Sequence, residues 1–383
     1  MKLIEFKNRL EEIFEYINDK HPGFYFFHNK DELNIELAKY LNKDNYDRYD
    51  LYYAVMALIK FMVGKYDSHT KVFFDNEQYL PFVFKVINNE VYIIYASKNN
   101  ANFVGKKLIS INGINTQELI KEIGNITCYS TKESLYVNIA TLLGSYDVLR
   151  SLPSIENNCD EFVIETDGGK IILYYGSFED VICPPFKENL SFEIKDNVVV
   201  IYYNMCCGKE KIECLINNIS KISEEQNINK YIVDIRDNGG GDSSVIKPLV
   251  NYLKGKKVVC LVNEKVFSSG RMALVDLKNI GAYIIGTDIR TSLNCFGNNN
   301  DEYNLKDLEL YVHRSTSYWL YDEEYNCRGF EKNNFASYFN NKRELLEPVE
   351  IHPDKYIKLS LEDILNNNDV QMKEGLKYLI KKI

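Results

Sequence analysis

Along residues 1–70, apolar positions recur at spacings of three and four. Leu3, Phe6, Leu10, Ile13, Phe14 and Ile17 form one stripe, which predicts an amphipathic helix. HPGFYF (21–26) interrupts it, and a helical pattern resumes over 31–41. A third stretch, 51–63, turns Tyr52, Val55, Met56, Ile59 and Met62 inward and stops at Gly64. GKYDSHTKVFF follows, placing Asp67, Ser68, His69 and Thr70 between a helix end and a strand. From 79 to 127 the period changes to two. LPFVFKVINNEVYIIYAS reads as a hairpin turning at Asn88 and Asn89, and FVGKKLISINGINTQELIKEIG as a strand, an Asn112-Gly113 turn and a short helix. Residues 128–150 look helical, and 162–166 with 171–175 form another hairpin.

From residue 190 the elements lengthen. SFEIKDNVVVIYYNM precedes a helix over about 210–226, and two apolar runs, 231–235 and 258–262, each end in small residues and lead into a helical pattern. That alternation is the grammar of a buried, largely parallel sheet, whose chemistry sits at the carboxyl ends of its strands. After Gly286 come a polar segment, a strand over 308–313, a poorly patterned Asn- and Tyr-rich insert over 318–343, and a terminal amphipathic helix. No internal repeat is visible.

Composition narrows the function. The chain has 383 residues, 45% hydrophobic and 26% charged, which is ordinary globular usage with room for two or three domains. Its formal charge of −9, with no basic cluster interleaved with aromatics, argues against nucleic acid and anionic membrane as partners. No run approaches the roughly 20 apolar residues of a membrane span. MKLIEFKNRLEEIFEYI lacks the apolar core and small-residue cleavage site of a signal peptide, so a cytoplasmic location is expected. Nine scattered cysteines without a CxxC pair make neither a disulfide framework nor a structural zinc site, and no cofactor is expected.

The candidate chemistry lies in two loops. The first, DIRDNGGGDS, carries glycines 239–241; the second, FSSGR, carries Ser268 and Ser269 where a helix over 271–280 begins. A serine at that place is also a common helix N-cap. Beside a glycine loop, however, whose amides can approach a developing oxyanion, and with a helix dipole behind it, a serine suits acyl transfer. The loop lacks the Lys-Ser/Thr of a phosphate loop and the spacing of a dinucleotide loop. A serine nucleophile needs a base. Of five histidines, His21 and His352 precede prolines, His28 lies in a polar loop and His313 in a strand; His69 alone sits in a small-polar turn between two elements.

Four ordered motifs carry a resemblance. DIRDNGGG is similar to the "Asp-Leu-Arg-x-Asn-x-Gly-Gly" signature of the C-terminal-processing and tricorn-type serine peptidases. FSSGRMALVDLKNIGAYIIG resembles their nucleophile strand-turn-helix, GKYDSHT their "Gly-Asp-x-His-Thr", and VEIHPDKYIKLSLEDILNNNDVQMKEGLKYL their closing element. The resemblance implies Ser268 as nucleophile and the amides of Gly240 and Ser269 as oxyanion donors. One branch of that family uses a lysine after the equivalent of Gly286; here no lysine precedes Lys306. Ser68 with His69 resembles the tricorn-like branch, in which a glutamate supports the pair: Glu347, with Glu344 and Glu331 as rivals. The chain departs from the pattern at Arg271, where an acidic residue is common, and in lacking the "Pro-Thr-Gly-Gly" turn.

The resemblance implies an α/β fold with a Clp protease/crotonase-like core at 190–383. A helical cap at 1–78 would carry Ser68 and His69, and a PDZ-like, β-rich region would occupy 79–189. The reaction implied is peptide-bond hydrolysis through an acyl-serine, on a peptide or unfolded protein, with room for a homo-oligomer. Two rivals stay open: an inactive binder of peptides or apolar ligands on the same fold, and acyl-CoA chemistry on the related crotonase core.

Overall fold

Five consecutive buried residues, Val198–Tyr202, show why the second half of the chain forms a sheet covered on both faces. This strand is the fifth of a six-stranded sheet. The order is Lys355–Tyr356, Tyr283–Gly286, Lys257–Val262, Lys230–Asp234, Val198–Tyr202 and Ser191–Lys195. All neighbours are parallel except the last pair. One face packs Val198, Val200, Ile232, Val259, Leu261 and Ile285 against Met372 and Leu379 of the closing helix Val370–Ile380. The structure, a computed structural model, describes residues 1–185, 187–299 and 301–380.

These residues form two units. The parallel sheet belongs to one made of Pro184–Leu293, Glu323–Tyr325 and Val349–Ile383; the other comprises Met1–Cys183, Asn294–Asp322 and Asn326–Pro348. The fold is mixed α/β, as the patterning predicts. Among the described residues no helix is long and apolar enough to cross a membrane.

In the unit that begins at Met1, the first three helices are Leu3–Lys20, Lys30–Leu37 and Arg48–Val63. The third is apolar nearly all round and accordingly buried; Asp47 starts it with a reciprocal capping box to Asp50. The hairpin Phe82–Ile87 with Glu90–Ala96 turns through Asn88 and Asn89, both at positive φ. A second sheet orders Ile114–Asn115, Leu108–Ile111, Glu161–Thr166 and Gly169–Tyr174. The helix expected over 128–150 divides into Lys132–Leu142 and Tyr146–Ser151, because Ser145 caps the second one.

The stretch 318–343 is ordered. Strands Ser317–Tyr321 and Cys327–Phe330 pair antiparallel, and helix Lys332–Phe339 packs Phe335 and Phe339 with Phe296, Tyr318 and Phe330. An aromatic cluster holds it, which a period search on aliphatic positions does not register.

Candidate active site

Ser268 stands where strand Lys257–Val262 has run out and helix Ser269–Asn279 begins. Its backbone is at φ 52° and ψ −124°, and the Gly270 N–H donates to Phe267 O at 2.9 Å. That is the first central position of a type II′ turn, which glycine normally fills. The N-cap alternative fails here: the Ser268 side chain makes no capping hydrogen bond. Such strain typically costs about 1–3 kcal/mol and is characteristic of functional turns. Ser268→Gly is therefore expected to raise stability by about 1 kcal/mol over Ser268→Ala, which keeps the strain, after allowing for glycine's own entropy. Thermal denaturation of the two variants checks this.

The turn is clamped from three sides within its unit. Phe267 N–H donates to Asn238 O at 2.9 Å, Ser268 N–H to Thr291 Oγ1 at 3.4 Å, and Ser269 Oγ to Gly241 O at 2.7 Å. The Ser269 hydroxyl is thus spent on the glycine loop, whereas the Ser268 hydroxyl makes no hydrogen bond among the described residues. At the first helical position, the Ser269 N–H belongs to the donors a helix leaves unsatisfied. Phe267 also lies 5.1 Å from the Arg290 guanidinium, whose pKa burial pushes down to about 10.

Gly240, at φ 108°, presses against this turn. A Cβ there would meet Ser268 Cβ at 2.7 Å, Ser269 N at 3.0 Å and Phe267 O at 3.2 Å, so only glycine permits the approach. The expectation assigned the Gly240 N–H to an oxyanion. In this structure that N–H donates to Asn238 Oδ1 at 2.9 Å, so serving an oxyanion requires it to exchange acceptors.

Asn238, fully buried, was not singled out by sequence reasoning, although it fills the Asn of the signature. Its Nδ2 donates to Tyr203 O at 2.7 Å while Oδ1 takes Gly240 N–H, so it fixes the glycine loop to the chain leaving Val198–Tyr202. Beneath the loop, Arg236 is held by both oxygens of Asp234 (2.9 and 2.6 Å) and both of Asp369 (2.8 and 2.8 Å). Burial alone would lower the Arg236 pKa, but these two carboxylates raise it well above its ordinary value. Arg271, the departure from the acidic pattern, is buried and donates to Leu293 O at 2.6 Å and Ser292 O at 3.3 Å. It fastens helix Ser269–Asn279 to the segment after Tyr283–Gly286.

Ser68 and His69 belong to the other unit. Helix Arg48–Val63 unwinds there, with the Tyr66 and Asp67 amides both donating to Val63 O, which carries the Asp67 side chain inward. Asp67 and His69 are buried and Ser68 half-buried. The His69 ring packs against Gly297, where a Cβ would stand 3.5 Å from its Cε1. Asp67 organises the turn: its Oδ1 accepts the N–H groups of His69 (2.7 Å) and Thr70 (3.0 Å). An Asp two residues before a histidine, directly after a helix end, is an Asx-turn signal that could have marked it. Burial alone would raise its carboxyl. The hydrogen bonds from His21 and Thr70 hold it well below the usual carboxylate range.

Glu347 is exposed and its carboxylate is taken by Lys65 Nζ (2.7 and 2.9 Å) and Tyr66 OH (3.2 Å). It thus joins the same turn at residues 65 and 66. Glu344 is exposed in a short 3-10 turn, and Glu331 is exposed ahead of helix Lys332–Phe339, its N–H donating to Asn334 Oδ1 at 2.9 Å. Asp288, Glu350 and His352 bring metal-ligand atoms within 4.8 Å of one another, but a His352 Nδ1–Asp288 Oδ1 contact of 2.8 Å accounts for the grouping as a surface ion pair.

No family model and no curated protein sequence matches the chain. Solved structures do. Mature CPAF complexed with lactacystin matches at 12% identity and a TM-score of 0.63, over 97% of this chain and 97% of that one. Mature CPAF alone matches at 11% and 0.64, over 99% of each chain. A weaker similarity, TM-score 0.47 at 12% identity over 97% of each chain, is to the photosystem II D1 C-terminal processing protease. Over nearly its whole length, the chain has the fold of mature CPAF.

Proposed function

We propose that this chain is a serine peptidase in which Ser268 is the nucleophile and His69 the general base. The observation that carries the proposal is the strained II′ turn, which presents the Ser268 hydroxyl beside a glycine loop at the carboxyl ends of a parallel sheet. The four ordered motifs support it, as does the shared fold with CPAF, itself solved in complex with lactacystin. The finer assignments, a tricorn-like Ser-His site supported by Glu347, a crotonase-like core and a PDZ-like region at 79–189, belong to the same proposal.

His69 would take the Ser268 Oγ proton as Oγ attacks a peptide carbonyl carbon. The carbonyl oxygen becomes the oxyanion, stabilised by the Ser269 N–H and, after release from Asn238, that of Gly240. Collapse breaks the C–N bond and the amine leaves with the proton from His69; water, deprotonated in turn by His69, then adds to the acyl carbon, the Ser268 Oγ–C bond breaks, and His69 returns the proton to Oγ.

A tagged alkyl fluorophosphonate tests this reading. It is expected to label the chain once, on Ser268, with no labelling of Ser268→Ala and a loss of at least about 10² in labelling rate for His69→Ala. Undiminished labelling of Ser268→Ala would move the nucleophile, with Ser269 next. A wild-type chain that is neither labelled nor hydrolytic would favour a peptide binder on this fold.

A further inference from the structure

We propose that His21 and Asp67 form a buried couple that positions His69, linking the end of the first helix to the base; this rests on the reading of His69 as that base. The Asp67 carboxylate is fully buried and accepts five hydrogen bonds from three separate parts of the chain. Oδ1 takes His69 N–H (2.7 Å), Thr70 N–H (3.0 Å) and Ser315 Oγ–H (3.0 Å). Oδ2 takes Thr70 Oγ–H (2.5 Å) and His21 Nε2–H (2.9 Å). A carboxylate offers about four lone-pair sites. With five donors aimed at it, Asp67 has no acceptor capacity left for a substrate, so its role is to position.

His21 is built for one orientation. It ends helix Leu3–Lys20 in extended backbone, as a residue before proline must, and turns its ring inward. Its Nδ1 accepts the Gly23 N–H at 3.0 Å, so in the neutral ring Nε2 carries the proton and must be the donor to Asp67. The ring lies 4.6 Å from Phe296 and 5.9 Å from Phe24, centroid to centroid. Gly23 cannot carry a side chain, because a Cβ would meet Phe296 and Phe335 at 2.8 Å. Thr70 Oγ1 accepts the Ser315 N–H at 2.9 Å, closing the network. The carboxylate therefore cannot rotate, and the two amides it holds fix the backbone from which the His69 ring projects. Its retained negative charge also favours the imidazolium that proton transfer would form at His69.

The test uses the full chain and the same fluorophosphonate, separating the maximal inactivation rate from the half-saturating probe concentration. His21→Ala is expected to lower the maximal rate about 10- to 100-fold without changing half-saturation, as misplacement of a catalytic group by about 1 Å would. His21→Gln, whose amide can donate from near the Nε2 position, is expected to restore most of the rate. Wild-type inactivation of His21→Ala, while His69→Ala remains inert, overturns the couple and leaves His69 as base. A change confined to half-saturation also overturns it. Full inactivation of His69→Ala removes the base assignment and the couple together. Should His21→Ala lose its thermal unfolding transition, Ser315→Ala is judged by the same two quantities.

Discussion

Gly240→Ala keeps its N–H but is expected to slow turnover about 10²–10³-fold by displacing it, on the order of the loss of one oxyanion donor. Both sterics and backbone conformation point the same way. At φ 108° an alanine is strained before it touches anything, and its Cβ would then press on Ser268 Cβ at 2.7 Å and Ser269 N at 3.0 Å. Relief must come from Ser268, its following amide, or the Asn238 anchor, and each of these alters the geometry of the proposed site. Neighbouring Gly239 offers the contrast: a Cβ there meets nothing within 4 Å. Gly239→Ala should therefore cost far less than Gly240→Ala in fluorophosphonate labelling rate. Equal rates for the two would dissociate the loop from the chemistry.

The second large effect is on stability. Asp67→Ala is expected to cost about 3–5 kcal/mol, because it removes one partner of a buried pair and leaves His21, Thr70 and Ser315 donors facing an empty acceptor site. Urea denaturation at neutral pH measures it, and a loss under about 1 kcal/mol would deny the network its structural importance. The pH dependence has a definite sign. The folded-state value of Asp67 lies below its unfolded value, so its contribution is fully present above about pH 4. It is lost as pH falls from there through the folded value. The gap between wild type and Asp67→Ala should accordingly narrow only in acid.

How much of this was legible in the sequence varies with the kind of signal. The stripe Leu3 to Ile17 and the runs at 231–235 and 258–262 announce their elements because one period dominates and burial follows it. The positions of Ser268, Gly240 and His69 at turns between elements follow from the same boundaries. Asn238 and Asp67 were not singled out, since a buried polar residue betrays itself through partners distant in sequence, such as Tyr203 and Ser315. Nor does the pattern of 318–343 reveal order, because there Phe330, Phe335 and Phe339 pack on one another and no amphipathic stripe is needed. The strained φ of Ser268 is likewise invisible to propensity, which would place glycine there.

The path of the chain has a consequence for biosynthesis. It passes from one unit to the other after residues 183, 293, 322, 325 and 348. The turn bearing His69 is closed by Ser315, whose bond to Asp67 spans 248 positions, and the parallel sheet takes its edge strand from Lys355–Tyr356. A ribosome that has delivered either half has therefore finished neither unit. Contacts of such sequence separation are slow to form, and both loops acquire their frames only as the last helices emerge. On the proposed function, a nascent chain would carry Ser268 and His69 before the distant segments that frame their turns and sheet have been made.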